Sequence, residues 1–461
     1  MEIDFLAAAR DLVAADSVSA NGNQKAVEVL ERIARSLGLE TFRQEAHALG
    51  VPQANLVVHP KGAPPRDGGL LLVTHTDTVG AGPLDLWTET NPWVLKQDGD
   101  TLYGLGVADV KLDALAKLQA LARAPRSAGG RVAFLGTFAE EVGCLGAKHF
   151  LANRPFTPAW VACGEPSELR IIDAHKGYLV ANIRLRQKDP PPIAARRLRL
   201  TFQGKAAHSS TPHLGVNAIE RAFAFCAAHG LEPQRAEGGD LANKIPARCV
   251  IEVPFDEDAL AAAQAEGIPA EVVVEGGGAS AATAIEVGRQ LAAALRDDVL
   301  QREPREDPRF DPKVAVSNHN VIHAGADGAA TIVCDARLLP GHDPLDIFAN
   351  LEALGERLAA RRGLEVEIER GRSNFAMSLP PESRLRDAAM ETSRALGLDP
   401  TPMAKPTNTE GGVFVSAGLE AIVFGPGVST GNAHTANERQ SLAQVVEAAR
   451  WYERLIGNLC A

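Results

Sequence analysis

Leu70-Leu71-Leu72-Val73-Thr74-His75-Thr76-Asp77 is a short, continuous apolar run that ends in a histidine and an aspartate two residues apart. A run of this length reads as a strand buried on both faces, as in an α/β sheet covered by helices. Working outward, similar stations follow at the ends of other segments. Asp109 lies in Gly104-Leu105-Gly106-Val107-Ala108-Asp109-Val110-Lys111. The pair Glu140-Glu141 follows the strand-like Val132-Ala133-Phe134-Leu135-Gly136-Thr137-Phe138. Glu165 lies in Cys163-Gly164-Glu165-Pro166-Ser167, and His434 in Asn432-Ala433-His434-Thr435-Ala436-Asn437-Glu438. Singly, each has an ordinary reading: a solvated helix start for Glu140-Glu141, a core histidine for His75, a turn for Gly104-Leu105-Gly106. Together they are an ordered set of metal-ligand types where open α/β sheets place their sites, at the carboxyl ends of strands.

Composition bounds what such a set can belong to. With 461 residues, 45% of them hydrophobic, the chain is too long for one ordinary core, and two domains are expected. A net charge of −11 disfavours nucleic acid as a partner, since phosphate binding needs clustered Lys and Arg. The same acidity suits a protein that gathers divalent cations. No apolar run approaches the ~20 residues of a membrane span. Met1-Glu2-Ile3-Asp4-Phe5 lacks the basic start of a signal peptide and reads as the opening of an amphipathic helix. The six cysteines (Cys144, Cys163, Cys226, Cys249, Cys334, Cys460) show no Cys-x-x-Cys spacing. That argues against a thiolate zinc site and gives no disulfide framework, so buried thiols in a reducing cytoplasm are expected.

Strand-like and helix-like segments alternate up to about residue 177, the pattern of an α/β sheet. The style then changes. Val180-Ala181-Asn182-Ile183-Arg184-Leu185-Arg186 and Leu198-Arg199-Leu200-Thr201-Phe202 alternate with period 2, as antiparallel strands with one buried face do. Pro190-Pro191-Pro192 between them must be a loop. Helices are expected over 216–228 and 282–295, and strands over 332–338 and 364–369 with a helix between. The pattern predicts a first part at 1–177, an inserted domain at 178–373 with a sheet and helices on one face, and a second part at 374–461. Gly276-Gly277-Gly278-Ala279-Ser280-Ala281 is read as a flexible loop, because it lacks the Lys-Ser/Thr ending of a phosphate cradle. A final helix is expected over 442–455.

These motifs resemble the M20 family of metallopeptidases and deacylases, which includes acetylornithine deacetylase, succinyl-diaminopimelate desuccinylase, glutamate carboxypeptidases and aminoacylases. The Gly-x-Gly-x-x-Asp-x-Lys segment at 104–111 and the Glu-Glu pair are the most specific pieces. The stretch 230–315 matches poorly. The resemblance implies a zinc-peptidase-like α/β catalytic domain with an inserted α+β lid, or dimerisation, domain. It also implies two divalent ions, zinc with cobalt as the alternative, which a mixed imidazole and carboxylate set favours over magnesium or calcium. By that likeness Asp109 is the bridge between the ions, His75 and Glu165 complete one, and Glu141 and His434 complete the other. Glu140 is then the general base, taking a proton from the attacking water and delivering it to the leaving amine. Asp77 is expected to accept the second ring N–H of His75 and fix its tautomer.

In the lid, His208 of Gly204-Lys205-Ala206-Ala207-His208-Ser209-Ser210 matches the family histidine that binds the tetrahedral oxyanion. The family takes it from the other subunit, so a homodimer through the lid is expected. Asn243-Lys244-Ile245-Pro246 resembles a lid motif that usually follows an Asn-x-x-x-x-Gly segment, yet here it precedes Asn320-Val321-Ile322-His323-Ala324-Gly325. Asn320 and Arg337 are candidate substrate contacts, Arg337 because a guanidinium fits a carboxylate bidentately. A surface salt bridge is the alternative for Arg337. His47, His59, His149, His229 and His342 have no family counterpart, and ligation is not argued for His175, His213, His319 or His323.

Desuccinylases of the family carry an Arg shortly before a Phe where this chain has Val413 before Phe414, which removes an anion clamp. Thr409-Glu410 looks closer to the acetylornithine branch. Hydrolysis of a small N-acyl amino acid is therefore the leading expectation, with a dipeptidase or carboxypeptidase as the alternative. A catalytically silent binding protein on the same fold is the reading from another class, and the filled ligand positions count against it.

Overall fold

Every residue of Leu70–His75 is buried, and the strand lies in the interior of a nine-stranded sheet. The computed structural model describes residues 2–461. They form two compact units, one of the residues up to His175 with Ala376–Ala461, the other of Lys176–Phe375. Elements are numbered in chain order.

The first unit contains β1 (Leu39–Ala48), β2 (Val51–Pro60), β3 (Leu70–His75), β4 (Lys96–Asp98), β5 (Thr101–Tyr103), β6 (Val132–Thr137), β7 (Trp160–Cys163) and β8 (Ile172–His175). After the second unit it resumes with β17 (Met377–Ser378), β18 (Met403–Lys405), β19 (Glu420–Val423) and β20 (Arg439–Ser441). The large sheet runs β1-β2-β6-β3-β7-β19-β8-β17, with β18 against β8. Its centre, β6-β3-β7-β19, is parallel, so four carboxyl ends open on one side. Side chains alternate between two cores, as a pleated strand requires. Leu70 and Leu72 join Phe134, Ile422 and the helices α1 (Phe5–Ala14), α2 (Gln24–Ser36), α3 (Lys111–Ala122) and α11 (Leu442–Cys460). Leu71 and Val73 join Leu135, Val423 and the helices α4 (Leu145–Ala152) and α10 (Gly411–Ser416).

Helix α3 is buried almost all round, charges included. Lys117 pairs with Asp113 at 2.7 Å and donates to Thr74 Oγ1 at 3.0 Å, while the Tyr452 hydroxyl donates to Asp113 Oδ1 at 2.7 Å. A buried ion pair survives only when its remaining polar sites are filled, as these are. The helix α11 extends to Cys460, past the expected end at 455.

The second unit holds β9 (Gly177–Gln187), β10 (Arg196–Gln203), α5 (Ala218–His229), β11 (Arg235–Gly238), β12 (Arg248–Pro254), α6 (Glu257–Ala265), β13 (Ala270–Val274) and α7 (Ala282–Gln301). It continues with β14 (Val316–Ala324), β15 (Ala329–Leu338), α8 (Pro344–Arg362) and β16 (Leu364–Asn374). One eight-stranded sheet, β13-β10-β12-β11-β14-β15-β9-β16, contains all of its strands. The alternation read at 180–186 is seen here, with Leu179, Ala181, Ile183 and Leu185 buried. The helix α5 starts at Ala218 because the Asn217 side chain caps the N–H groups of Ile219 and Glu220. Among the described residues no helix is long and apolar enough to cross a membrane.

Candidate metal centre

The carboxyl ends of the parallel strands supply the centre. Strand β3 ends at His75, β6 leads into Glu140-Glu141, and β7 stops two residues before Glu165. Asp109 comes from the loop before α3, and His434 from the loop between β19 and β20. Both His434 and Ala139, just before the glutamate pair, have positive φ values of 61° and 51°. A side chain held in that left-handed region costs energy and persists where its surroundings fix it.

Asp109 faces two imidazoles. Its Oδ1 lies 3.1 Å from His75 Nε2, and its Oδ2 lies 3.2 Å from His434 Nε2. His434 Nε2 is also 3.0 Å from Glu141 Oε1. Candidate ligand atoms within 4.8 Å of one another form two groups, His75 with Glu140 and Glu141, and Asp109 with Glu141 and His434. Five of the residues singled out in the sequence therefore lie together. Glu165 belongs to neither group: its Oε2 lies 3.6 Å from Lys405 Nζ. Buried His75 is at the floor, whereas the His434 side chain is 51% exposed, so the centre opens to solvent on that side.

Asp77 meets His75 through both its main chain and its side chain. His75 Nδ1 is 3.0 Å from the backbone carbonyl oxygen of Asp77, and 3.6 Å from the carboxylate Oδ1. A proton on Nδ1 directed at that carbonyl leaves Nε2 free to be a ligand, so the tautomer is fixed by the main chain of Asp77 first. The Asp77 carboxylate also accepts the N–H of Glu140 at 3.0 Å, the N–H of Glu141 at 3.3 Å and the Ser19 hydroxyl at 2.6 Å. It pins the glutamate pair in place. Burial works to raise the pKa of Asp77, but the bonds and charge of His75, with those donors, hold it below the usual range.

The electrostatics are those of an anion surplus. Burial, with the charges of Asp109 and Glu140, pushes Glu165 up to about 8 against the pull of Lys405. Burial and the Glu140 charge push Glu410 up to about 8 as well. The Asp109 and Glu141 carboxylates raise His434 to about 11. Two imidazoles and a crowd of carboxylates, with nitrogen and oxygen donors converging within ligand distance, fit divalent cations by donor chemistry and charge.

The lid candidates lie in the second unit. His208 is exposed, and its Nδ1 accepts the Ser210 N–H at 3.2 Å and lies 2.7 Å from Ser210 Oγ. A backbone N–H can only donate, so the neutral ring carries its proton on Nε2. Arg337 is buried, not a surface residue. It reaches Asp335 Oδ2 at 3.3 Å and Ser209 Oγ at 3.1 Å, with its guanidinium 3.9 Å over the Tyr178 ring. Asn320 donates to Asp335 Oδ1 at 2.8 Å and to the Ala242 carbonyl, while its own Oδ1 is buried without a partner.

Two residues of the centre carry no role in the sequence reading. Glu438 is buried and accepts three backbone N–H groups, from Gly106 at 2.9 Å, Ala108 at 2.8 Å and Asp109 at 2.9 Å. It ties the loop of Asp109 to the loop of His434. Glu410 accepts the Thr137 hydroxyl at 3.0 Å through Oε2, and its Oε1 is buried without a partner. The only sequence signal for either was its place inside a quoted motif.

A sequence profile described as Peptidase family M20/M25/M40 matches residues 71–458. Acetylornithine deacetylase of Vibrio atlanticus (strain LGP32) is 33% identical over 225 residues, which cover 47% of this chain and 52% of that protein. The match thus spans about half the length of this curated relative. Aminoacylhistidine dipeptidase from Vibrio alginolyticus has a similar structure, with a TM-score of 0.66 at 17% identity, over 98% of this chain and 95% of the other. The M20 family metallo-carboxypeptidase Sso-CP2 from Sulfolobus solfataricus gives 0.62 at 17% identity, over 99% of both chains. At such identities these structures show likeness of fold.

Proposed function

The chain belongs to peptidase family M20/M25/M40, and from that premise we propose that it is a two-metal amidohydrolase of a small N-acyl amino acid, with products a carboxylate and a free amine. The observation that carries this reading is Asp109, whose two carboxylate oxygens face different histidines at 3.1 and 3.2 Å. We assign His75 and Glu165 to one ion, Glu141 and His434 to the other, and Asp109 to both. Zinc suits the donor set best, with cobalt as the alternative. Bound divalent ions supply acidification of a water and polarisation of the amide carbonyl.

The chain's own groups do the rest. Glu140 takes the proton of the attacking water on its carboxylate and returns it to the leaving nitrogen. Asp77 holds the backbone of the Glu140-Glu141 pair, which fixes where that proton is taken. We assign His208 the developing oxyanion, because its neutral ring carries a proton on Nε2 and a donor aimed at developing charge contributes on the order of 3 kcal/mol. Arg337 and Asn320 would shape the site for the substrate carboxylate, Asn320 through the ring of bonds around Asp335. The six cysteines are free and buried, which supports a reducing cytoplasm.

The names of the relatives favour two substrates. A deacetylase aligns with half of the chain, while structures named dipeptidase and metallo-carboxypeptidase align with nearly all of it. Metal analysis of the purified protein with a panel of N-acyl amino acids and dipeptides separates them. Two ions per chain with release of amine from the acyl amino acids is the expected result. Turnover of dipeptides alone would shift the reading to a dipeptidase, and two ions without turnover would leave a binding protein.

A further inference from the structure

The second unit repeats one connection pattern twice. Strand β10, α5, β11, β12, α6 and β13 run βαββαβ, and so do β9, α7, β14, β15, α8 and β16. Counted inward from either edge of the sheet, each set lies in the same order, fourth, first, third, second. Within each set every pairing is antiparallel. The two second strands, β11 and β14, meet at the middle and pair antiparallel, the sense that a two-fold axis normal to the sheet requires. The first helices cross over alike: α5 packs on β14 as well as its own strands, and α7 on β11. They share a face, since Phe223 of α5 stacks on His319 of β14 while Arg289 of α7 lies 4.3 Å over Phe223.

One module is inserted in the other, between Gln187 and Ala282, where the outer module's first strand should lead to its first helix. That resolves the displaced motif, because Asn243-Lys244-Ile245-Pro246 belongs to the inner module and Asn320 to the outer. The His208 segment lies between β10 and α5 of the inner module, and Asn320 and Arg337 lie on β14 and β15 of the outer. The two sets meet at the junction. Ser209, beside His208, accepts from Arg337 at 3.1 Å and donates to Asp335, and its carbonyl accepts from Asn318 at 3.0 Å. Asn320 sits where the β14 register shifts, a bulge that re-aims a side chain. Gly239, with φ of 75°, allows the approach, since a Cβ there would stand 1.8 Å from the Asn320 carbonyl oxygen.

We infer that the lid is an internal pair of βαββαβ modules, and that His208, Asn320 and Arg337 are assembled across their junction within one chain, with no second chain needed. The homodimer expected from the sequence rested on the family taking the His208 counterpart from the other subunit. That the three residues serve hydrolysis depends on the function proposed above; the pairing of the modules does not.

Glu237 of β11 and His323 of β14 are exposed and directly opposite each other. Full-length Glu237→Cys/His323→Cys, treated with a short bis-thiol reagent, tests the pairing, the native thiols being buried. Cross-linked product that runs as a single chain is expected. A covalent dimer, or no cross-link, overturns the inference. His208→Ala and Arg337→Ala, one variant in each module, should each be impaired, and refolding them together should restore nothing. Recovery well above both variants means that the modules are shared between chains. If either variant alone is as active as wild type, the function proposed for that residue fails, while the cross-link still decides the pairing.

Discussion

At the scale of single residues, the candidate centre separates groups that face the ligand space from groups that hold them. Glu140 and Glu141 are neighbours in sequence; Glu141 Oε1 meets His434 and joins both close ligand groups, Glu140 joins the one with His75, and the function proposed above makes Glu140 the base and Glu141 the ligand. Glu140→Ala is therefore expected to leave metal content unchanged and to lower kcat by about 10²–10⁴, the usual range for a lost general base. Normal kcat, or loss of an ion equivalent, would sink the assignment within the pair. Glu438 makes a different demand. Burial pushes its carboxyl up to about 7, against the three backbone N–H groups that it accepts, so those bonds offset a desolvation cost. Glu438→Gln must turn an amide N–H₂ toward at least one of those N–H groups, donor against donor. A lower Tm and faster loss of metal on dialysis are expected; if both stay at wild-type values, Glu438 does not position Asp109.

At the scale of elements, the buried strands were readable because their composition is extreme. Leu70-Leu71-Leu72-Val73 serves two cores, and no polar residue interrupts it. The hairpin of β1 and β2 carries no such mark. Most of β1 is half-exposed, and its turn uses Leu49 and Gly50, both at positive φ, without the Asn-Gly signature of such turns. The holding contacts were equally hidden: Asp77 and Glu438 act on backbone groups some 60 and 330 positions away, a distance that residue order does not encode. The lid modules leave no fixed period along the chain, because the inner one splits the outer.

His319 of β14 gives this scale a pH test. Burial, then the charges of Arg289 and Arg296, lower its pKa to about 4, against one backbone bond that raises it. The folded value lies below the unfolded one, so the unfolded chain binds the extra proton first. Stability is then full above about 6.5 and is lost as pH falls toward 4, by up to about 3 kcal/mol for this group. His319→Gln should flatten the fall of Tm over that window; an unchanged slope would show that His319 does not titrate on unfolding.

At the scale of the whole molecule, the acidic groups that matter to the centre are buried in one unit. Asp77, Asp109, Glu140, Glu141, Glu165, Glu410 and Glu438 all lie in the first unit, six of them buried and Asp109 nearly so. Buried carboxylates in such number are costly unless cations offset them, and the family to which the chain belongs includes metal-dependent enzymes by name. The sequence order brought His75, Asp109, Glu141 and His434 to attention, and in the fold their ligand atoms converge. Everything proposed about catalysis depends on Asp109 serving two ions at once. Metal content after exhaustive dialysis, measured for wild type, His75→Ala, His434→Ala and Asp109→Ala, tests this most directly. Wild type should keep two ions per chain, each histidine variant should weaken one, and Asp109→Ala should lose more than either. Retention of two ions by Asp109→Ala, or a single ion in the wild type, would contradict the account.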